Sequence, residues 1–271
     1  MLGGWEFAIL APHVNENVFP AEAPADYVRR LAEEKARAAM RAQIESRRYA
    51  MPPYNQDVSF DCGREYAALR SGRLPAEHEQ AGQAATKADK VRPNVADSLP
   101  YGGQAVILAA DTAVVEPIEA DGDRGAPAAR EILGKPASPE EAVEMLRRLR
   151  GRVHQVFTGL AVLRTADSRL LSEVVVTDVL MRNYSDDEIR TYVETGDPFD
   201  KAGAYAIQHP VFCPVQNLQG CYANVMGLPV CHASRLLAQL GCPPASDVTR
   251  ECQESLAYSC ELYRLALRQD A

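Results

Sequence analysis

The pattern of apolar and polar positions predicts a protein built from both helices and strands. Residues 24–44 are rich in Ala, Glu, Arg and Lys, with apolar residues at helical spacing, so they should form a helix that begins at Pro24. Residues 105–110 form a continuous apolar run, which is typical of a strand buried on both faces. A shorter apolar run at residues 5–10 predicts a further strand.

The middle of the chain contains a helix-start signal followed by two strand-like runs. Ser138 precedes Pro-Glu-Glu, which supplies an N-cap, a proline in the first turn and acidic residues near the positive helix end, so we predict a helix over residues 138–150. Residues 153–164 and 171–181 are rich in branched residues and should be strands. His154, in the first of them, is interpreted as a satisfied core or sheet histidine.

Three helices are predicted after these strands. Ser185 is a candidate cap for a helix over residues 186–194. A Gly-Leu-Pro sequence should open a last core helix that ends at Leu240, and residues 249–268 should form a C-terminal helical extension. Strands and helices mix without strict alternation, so the predicted class is α/β or α+β with a mixed sheet.

Residues 46–104 differ in texture from the rest of the chain. Prolines and glycines recur there and no apolar period is sustained, so we interpret the segment as a flexible insertion with one short helix around residues 64–69. The predicted organisation is a main domain over residues 1–241 that contains this insertion, followed by an extension over residues 242–271.

Composition and charge exclude several function classes. Hydrophobic residues make up 46% and charged residues 24% of the 271 residues, as in ordinary globular proteins. A net charge of −8 disfavours a nucleic-acid partner, because duplex binding needs a field of Lys and Arg. The most apolar stretch, residues 105–115, is short and interrupted by Asp111, so no membrane span is expected. The seven cysteines show no Cys-x-x-Cys pair, and we expect reduced thiols in a cytoplasmic protein.

Asp111 directly follows the apolar run of residues 105–110 and is followed by Thr112. A charged carboxylate is costly inside a buried strand without a partner, so Asp111 should lie at the end of the strand and face a cleft. From this residue alone, an aspartate that caps a turn is the favoured interpretation.

Lys135 lies between Gly134 and Pro136 on a predicted rigid turn. The sequence Ile-Leu-Gly-Lys-Pro is not a phosphate-binding P-loop, because proline replaces the required Ser or Thr and the upstream glycine spacing is wrong. A lysine on a fixed turn could supply a point charge for a phosphate, but from this motif alone a solvated turn lysine is the favoured interpretation.

Residues 195–208 concentrate polar groups in one turn. Asp197, Asp200 and Lys201 precede an apolar segment that ends at Gln208. Two carboxylates beside a lysine could hold a divalent cation and a phosphate together, and they could equally be a surface ion-pair cluster.

Five separated motifs, in this order, resemble those of the Maf family, the septum-formation-inhibitor-like nucleotide pyrophosphatases. They are Ala109-Ala-Asp-Thr112, Ile132-Leu-Gly-Lys-Pro136, Met145-Leu-x-x-Leu-x-Gly-x-x-His154-x-Val-x-Thr-Gly159, Asp200-Lys-Ala-Gly-Ala-Tyr205 with Ile207-Gln208, and Asn224-Val-Met-Gly-Leu-Pro229. Val14-Asn-Glu16 and Glu34-Lys35-Ala36 extend the resemblance towards the start of the chain.

The resemblance implies a two-lobed Maf/ITPase-like fold with a central cleft that binds a nucleoside triphosphate and Mg²⁺ or Mn²⁺. It implies hydrolysis between the α and β phosphates of dTTP or UTP, which gives the monophosphate and pyrophosphate. By position, Asp111 matches the catalytic proton acceptor and Thr112 and Gln208 match residues that select the base. The remaining cleft residues are lysines that face the substrate and carboxylates that hold the metal with Asp111; they are Lys35, Lys135, Lys201, Glu16 and Asp200.

The opening segment of the family, Ser-x-Ser-Pro-Arg-Arg, has no counterpart in the printed sequence. Either the start is placed too far downstream, or the chain is an impaired relative that binds a nucleotide without cleaving it. We favour the first interpretation because Asp111, Lys135, Lys201 and Gln208 are all in place. A homodimer is among the assemblies considered.

Overall fold

A computed structural model describes residues 2–5, 7–49, 105–116 and 131–260. The chain divides into two compact units, one formed by Met1–Ala42 with Tyr101–Ala271 and the other by Gln43–Pro100. The predicted insertion over residues 46–104 and its short helix at residues 64–69 lie outside the described residues, except for its first four residues.

The described strands form one five-stranded sheet with the order β2-β1-β3-β4-β5. The strands are β1 (Val106–Val115), β2 (Ile132–Leu133), β3 (Val153–Arg164), β4 (Arg169–Met181) and β5 (Val215–Gln219). Every pairing among them is antiparallel, so the parallel component expected of a mixed sheet is not found in this described part of the chain. The two long strands β3 and β4 confirm the predictions from branched residues.

Six helices are described. They are α1 (Pro24–Tyr49), α2 (Pro139–Leu149), α3 (Asp186–Glu194), α4 (Tyr222–Val225), α5 (Val230–Gln239) and α6 (Val248–Leu256). The two predicted serine caps are confirmed, because Ser138 accepts from the backbone N–H of Glu141 and Ser185 from that of Glu188. The Glu188 side chain also accepts from the Ser185 N–H, which completes a capping box.

Helix α1 lies against one face of β3, and Gly159 permits the close approach. A Cβ at Gly159 would lie 2.1 Å from the carbonyl oxygen of Val28, so a larger residue has no room there. Small residues continue this contact, since Ala32 and Ala36 pack on Ala161 and Leu163. The close packing of α1 therefore fixes where its polar side chains stand above the sheet.

The opposite face of the sheet is covered by two clusters. Helix α5 packs its apolar side on Leu160 and Val162 of β3. Helices α2 and α3 cover the other end of that face, where the largest buried side chains include Leu146, Tyr184 and Tyr192. Consecutive strand residues point to opposite faces of the sheet. Leu160 therefore faces the layer that contains α5, and Ala161 faces the layer that contains α1.

Two predicted elements differ from the structure. Residues 7–10 are not a strand, because no described strand pairs with them and Phe7 and Ile9 are 72% and 79% exposed. The C-terminal helix ends at Leu256, because Ala257 adopts a left-handed conformation and its N–H bonds back to Gln253. Residues 261–268 of the predicted helix lie outside the described residues. No helix in the described ranges is long and apolar enough to cross a membrane.

Candidate active site at the edge of the sheet

Lys35 of α1 joins two carboxylates from distant parts of the chain. Its Nζ lies 2.5 Å from Asp111 Oδ1 and 2.9 Å from Glu16 Oε1. The backbone carbonyl of Glu16 accepts from the Tyr27 hydroxyl at 3.0 Å, so the segment before α1 is tied to the helix itself. Three residues implied by the family resemblance are thus brought together.

Asp111 lies inside β1 and not at the end of a strand, which corrects the sequence prediction. The strand continues for four residues beyond it, to Val115. The predicted cost of a charge within a strand is offset by Lys35, because an ammonium within hydrogen-bond distance stabilises the carboxylate. The side chain of Asp111 is 10% exposed. Residues 106–112 are partly accessible, so this strand is not buried on both faces as expected.

The surroundings of Asp111, Lys35 and Glu16 shift the pKa values of these three groups in different directions from different causes. Burial raises the pKa of Asp111, and the hydrogen bond from Lys35 offsets only part of that rise. Burial opposes the charge of Lys35, but its bonds to Asp111 and Glu16 outweigh burial and raise the pKa of Lys35. The bond from Lys35 lowers the pKa of the more exposed Glu16. A carboxylate with a raised pKa beside a permanent cation is suited to accept a proton.

Thr112 points to the opposite face of the sheet from Asp111, as strand alternation requires. Its hydroxyl lies 2.8 Å from that of Thr158 on β3, and the Thr158 hydroxyl donates to the backbone carbonyl of Asn224 at 3.0 Å. Asn224 belongs to α4, on the face opposite α1. The proposed proton acceptor and base-selecting residue therefore lie on two sides of one strand.

The two faces of β1 that carry Asp111 and Thr112 meet at the edge of this strand. Strand β2 pairs with β1 only at Val114 and Val115, so in the described part of the chain the rest of this edge carries no further strand. Lys135 is exposed two residues after β2. Its positive charge opposes the rise in the pKa of Asp111 and adds to the lowering of the pKa of Glu16. Lys135 therefore belongs with the Lys35 group, and a ligand at this edge could reach both faces.

Lys201 lies in a second polar group. Its Nζ donates to the backbone carbonyl of Asp197 at 2.8 Å, to Asp197 Oδ1 at 3.0 Å and to Asp200 Oδ1 at 2.6 Å. The N–H of Gly203 donates to the carbonyl of Gly134 at 3.0 Å, which attaches this segment to the turn that carries Lys135.

The structure does not gather the three expected metal ligands. Asp200 is paired with Lys201, whereas Glu16 and Asp111 share Lys35. Among the described residues, no group of three or more His, Cys, Asp or Glu side chains is arranged to hold a metal ion. Glu16 and Asp111 alone form the carboxylate pair.

Tyr192, which the sequence did not single out, anchors the segment around Lys201. Tyr192 of α3 donates its hydroxyl proton to Asp197 at 2.6 Å and accepts from the N–H of Ala206 at 3.1 Å. Tyr205 is buried, and Gln208 follows on an exposed turn. The helical spacing of Tyr192 from other apolar residues indicates only a core position. The sequence therefore does not predict its hydrogen bonds to the segment around Lys201.

His154 is a buried histidine with one hydrogen-bonded nitrogen. Its Nε2 lies 2.8 Å from the Tyr205 hydroxyl, and its Nδ1 has no partner among the described residues. The core position predicted for His154 is confirmed. The prediction that its hydrogen-bonding groups are all paired is wrong for Nδ1. Burial lowers the pKa of His154 from 6.5 to about 3.

Replacement of this histidine by Gln should reduce the acid sensitivity of the fold. The unfolded chain binds a proton at His154 below pH 6.5, whereas the folded protein does not until about pH 3, so stability falls as the pH drops through that window. Wild type should lose about 1.4 kcal/mol more than His154→Gln between pH 8 and pH 5.5. Urea unfolding at both pH values measures this, and equal losses in the two proteins would contradict it.

The chain is similar to one protein family and to several relatives of named activity. A family model described as Maf-like protein matches residues 1–240. A dTTP/UTP pyrophosphatase of Dehalococcoides mccartyi is 40% identical over 167 residues, which cover 61% of this chain and 68% of the relative. One of Dictyoglomus thermophilum is 44% identical over 51% of this chain and 65% of its own length. One of Geobacter metallireducens is 34% identical over 88% of this chain and 87% of its own.

Proposed function

The chain belongs to the family of Maf-like proteins, and on that premise we propose that it hydrolyses dTTP or UTP to the monophosphate and pyrophosphate. The observation that carries the proposal is the carboxylate of Asp111, nearly buried in β1, with a raised pKa and a lysine at 2.5 Å. Its relatives named dTTP/UTP pyrophosphatase support the choice of substrate.

In the proposed reaction Asp111 accepts a proton from a water molecule whose oxygen attacks the α-phosphorus. The bond between the α-phosphorus and the oxygen that bridges to the β-phosphorus breaks, and pyrophosphate leaves with the bonding electron pair. Lys35 and Lys135 carry the positive charge nearest to Asp111 and would stabilise the negative charge that develops on the phosphates. Water is a weak nucleophile, so a positioned base is needed.

The carboxylates of Glu16 and Asp111 fit a divalent metal ion better than any set that includes Asp200. Both direct an oxygen at the same ammonium group, and Mg²⁺ is commonly held by one or two carboxylates together with substrate phosphates. A bound Mg²⁺ or Mn²⁺ would supply positive charge for the triphosphate oxygens. The segment that carries Lys201 would contact a more distant part of the substrate.

The alternative is a protein that binds a nucleotide without cleaving it. Incubation with UTP and dTTP in the presence of Mg²⁺ or Mn²⁺ separates the two, with pyrophosphate and the monophosphate as expected products. Calorimetric titration with α,β-methylene-UTP, which cannot be cleaved at this bond, measures binding independently. Binding without turnover would favour the alternative, while orthophosphate as the first product would contradict the proposed bond cleavage.

We propose a catalytic domain over residues 1–241 and an extension over residues 242–271, whose helix α6 contacts α5 through Thr249 Oγ1 and Cys231 Sγ at 3.9 Å. We also propose that the protein is cytoplasmic and forms a homodimer.

A further inference from the structure

A chain of hydrogen bonds determines which way the Thr112 hydroxyl points its proton. Thr158 Oγ1 lies 3.0 Å from the backbone carbonyl oxygen of Asn224, and a carbonyl can only accept, so Thr158 donates there. A threonine hydroxyl has one proton. The 2.8 Å contact between the two hydroxyls therefore requires Thr112 to donate to Thr158.

The reverse arrangement is unfavourable in this environment. If Thr158 donated to Thr112, the oxygens of Thr158 and Asn224 would lie 3.0 Å apart with no proton between them. Both residues are fully buried, so two facing lone pairs would meet in a region of low dielectric. The carbonyl of Asn224 also accepts from the N–H of Gly227 at 3.0 Å, which keeps it directed at this point.

The Asn224 side chain prevents the carbonyl from turning away. Its Nδ2 donates to the carbonyl of Val156 at 3.1 Å and to the Thr177 hydroxyl at 3.0 Å. Thr177 also accepts from the N–H of Cys221, which holds the start of α4 on the sheet. The acceptor that fixes Thr158 is thus itself held by strands β3 and β4.

We propose that Thr158 is a positioning residue that makes Thr112 a hydrogen-bond acceptor towards the substrate, and that this acceptor reads the imide N3–H of uracil or thymine. The inference rests on the proposed function and on the base-selecting position that the family resemblance implies for Thr112. With its proton committed to Thr158, Thr112 offers lone pairs to the partly accessible side of the strand.

The chemistry of pyrimidines makes this arrangement selective. Uracil and thymine carry a proton on N3, whereas N3 of cytosine is an acceptor and would face the Thr112 oxygen without a proton between them. Gly227 lies beside this hydroxyl, where an added Cβ would stand 3.4 Å from Thr112 Oγ1, so the glycine leaves space for a base. Sites that pair polar groups in this way discriminate more strongly than apolar pockets do.

Thr158→Val should relax this discrimination. Valine has nearly the same shape but no hydroxyl, so the Thr112 hydroxyl becomes free to rotate and donate to N3 of cytosine. We expect the ratio of kcat/KM for UTP to that for CTP to fall about tenfold, mainly through improved use of CTP. Thr158→Ser keeps the hydroxyl, so this variant should have the same UTP-to-CTP ratio as wild type.

Thr249→Val is the matched control because it removes another buried hydroxyl, which lies 3.9 Å from Cys231 Sγ and is not part of the hydrogen-bond chain from Thr112 to Asn224. It should lower the melting temperature and leave the ratio unchanged. Thr112→Val should also lower the ratio of kcat/KM for UTP to that for CTP, because kcat/KM for UTP falls while that for CTP does not rise. This variant tests the inference if Thr158→Val does not fold.

Dissociation constants for α,β-methylene-UTP and α,β-methylene-CTP test the inference separately from the reaction. An unchanged UTP-to-CTP preference in folded Thr158→Val, by either measurement, would overturn the role of Thr158. Absence of turnover with an intact binding preference that Thr158→Val relaxes would instead count against the proposed hydrolysis alone. Equal binding of both analogues by wild type would also overturn the inference.

Discussion

Asp111→Asn should lower kcat for dTTP or UTP hydrolysis by about a hundredfold to ten-thousandfold, since a positioned general base contributes on that order. The amide has the same shape but cannot take up the proton from water. Lys35 keeps its bond to Glu16 in this variant, so the fold should change little. Single-turnover kinetics of pyrophosphate release measure the effect.

Asp178→Asn provides the matched control for this replacement. Asp178 is a half-buried carboxylate on β4 that accepts from the Gln155 amide at 2.8 Å, and we assign it no part in the reaction. Its replacement should leave kcat within about twofold of wild type, as is usual for residues outside a catalytic group. A near-normal kcat in Asp111→Asn would show that another group is the base.

Gly159→Ala should destabilise the protein by about 3 kcal/mol or more, because overpacking against backbone forces a shift of whole elements. The added Cβ would lie 2.1 Å from the Val28 carbonyl oxygen and 2.8 Å from the Arg29 nitrogen. For a chain of this size the melting temperature should fall by about 6–12 °C. Because α1 also carries Lys35, any remaining folded protein should be less active.

Gly134→Ala is the control for backbone flexibility, since a Cβ at that position meets nothing within 4 Å. Its melting temperature should stay within a few degrees of wild type, which corresponds to about 1 kcal/mol. If Gly159→Ala melts like Gly134→Ala, then α1 does not pack on β3 as described.

The sequence determined those features whose causes lie within a few residues of one another. The caps at Ser138 and Ser185 depend on a backbone N–H three residues later, so their helices were predicted almost to the residue. The long strands β3 and β4 were likewise visible in their branched residues. Membership of the Maf-like family was also carried by local motifs, including the one around Asp111.

Other local patterns were insufficient because pairing decides them. The apolar run at residues 5–10 has strand-like composition, but a strand needs a partner, and no described strand supplies one. Strand β5 was missed because Val215–Gln219 is largely polar, and it forms only through its ladder with β4.

The tertiary structure alone decided the arrangement of the candidate site. Lys35 and Asp111 are 76 residues apart, so no local pattern could show that a lysine would stabilise a carboxylate inside β1. Likewise, Thr158 acquires its position beside Thr112 from the antiparallel register of β1 and β3. Hydrogen bonds and ion pairs act over a few ångströms in space, and long-range strand pairing is what brings these distant residues within that reach.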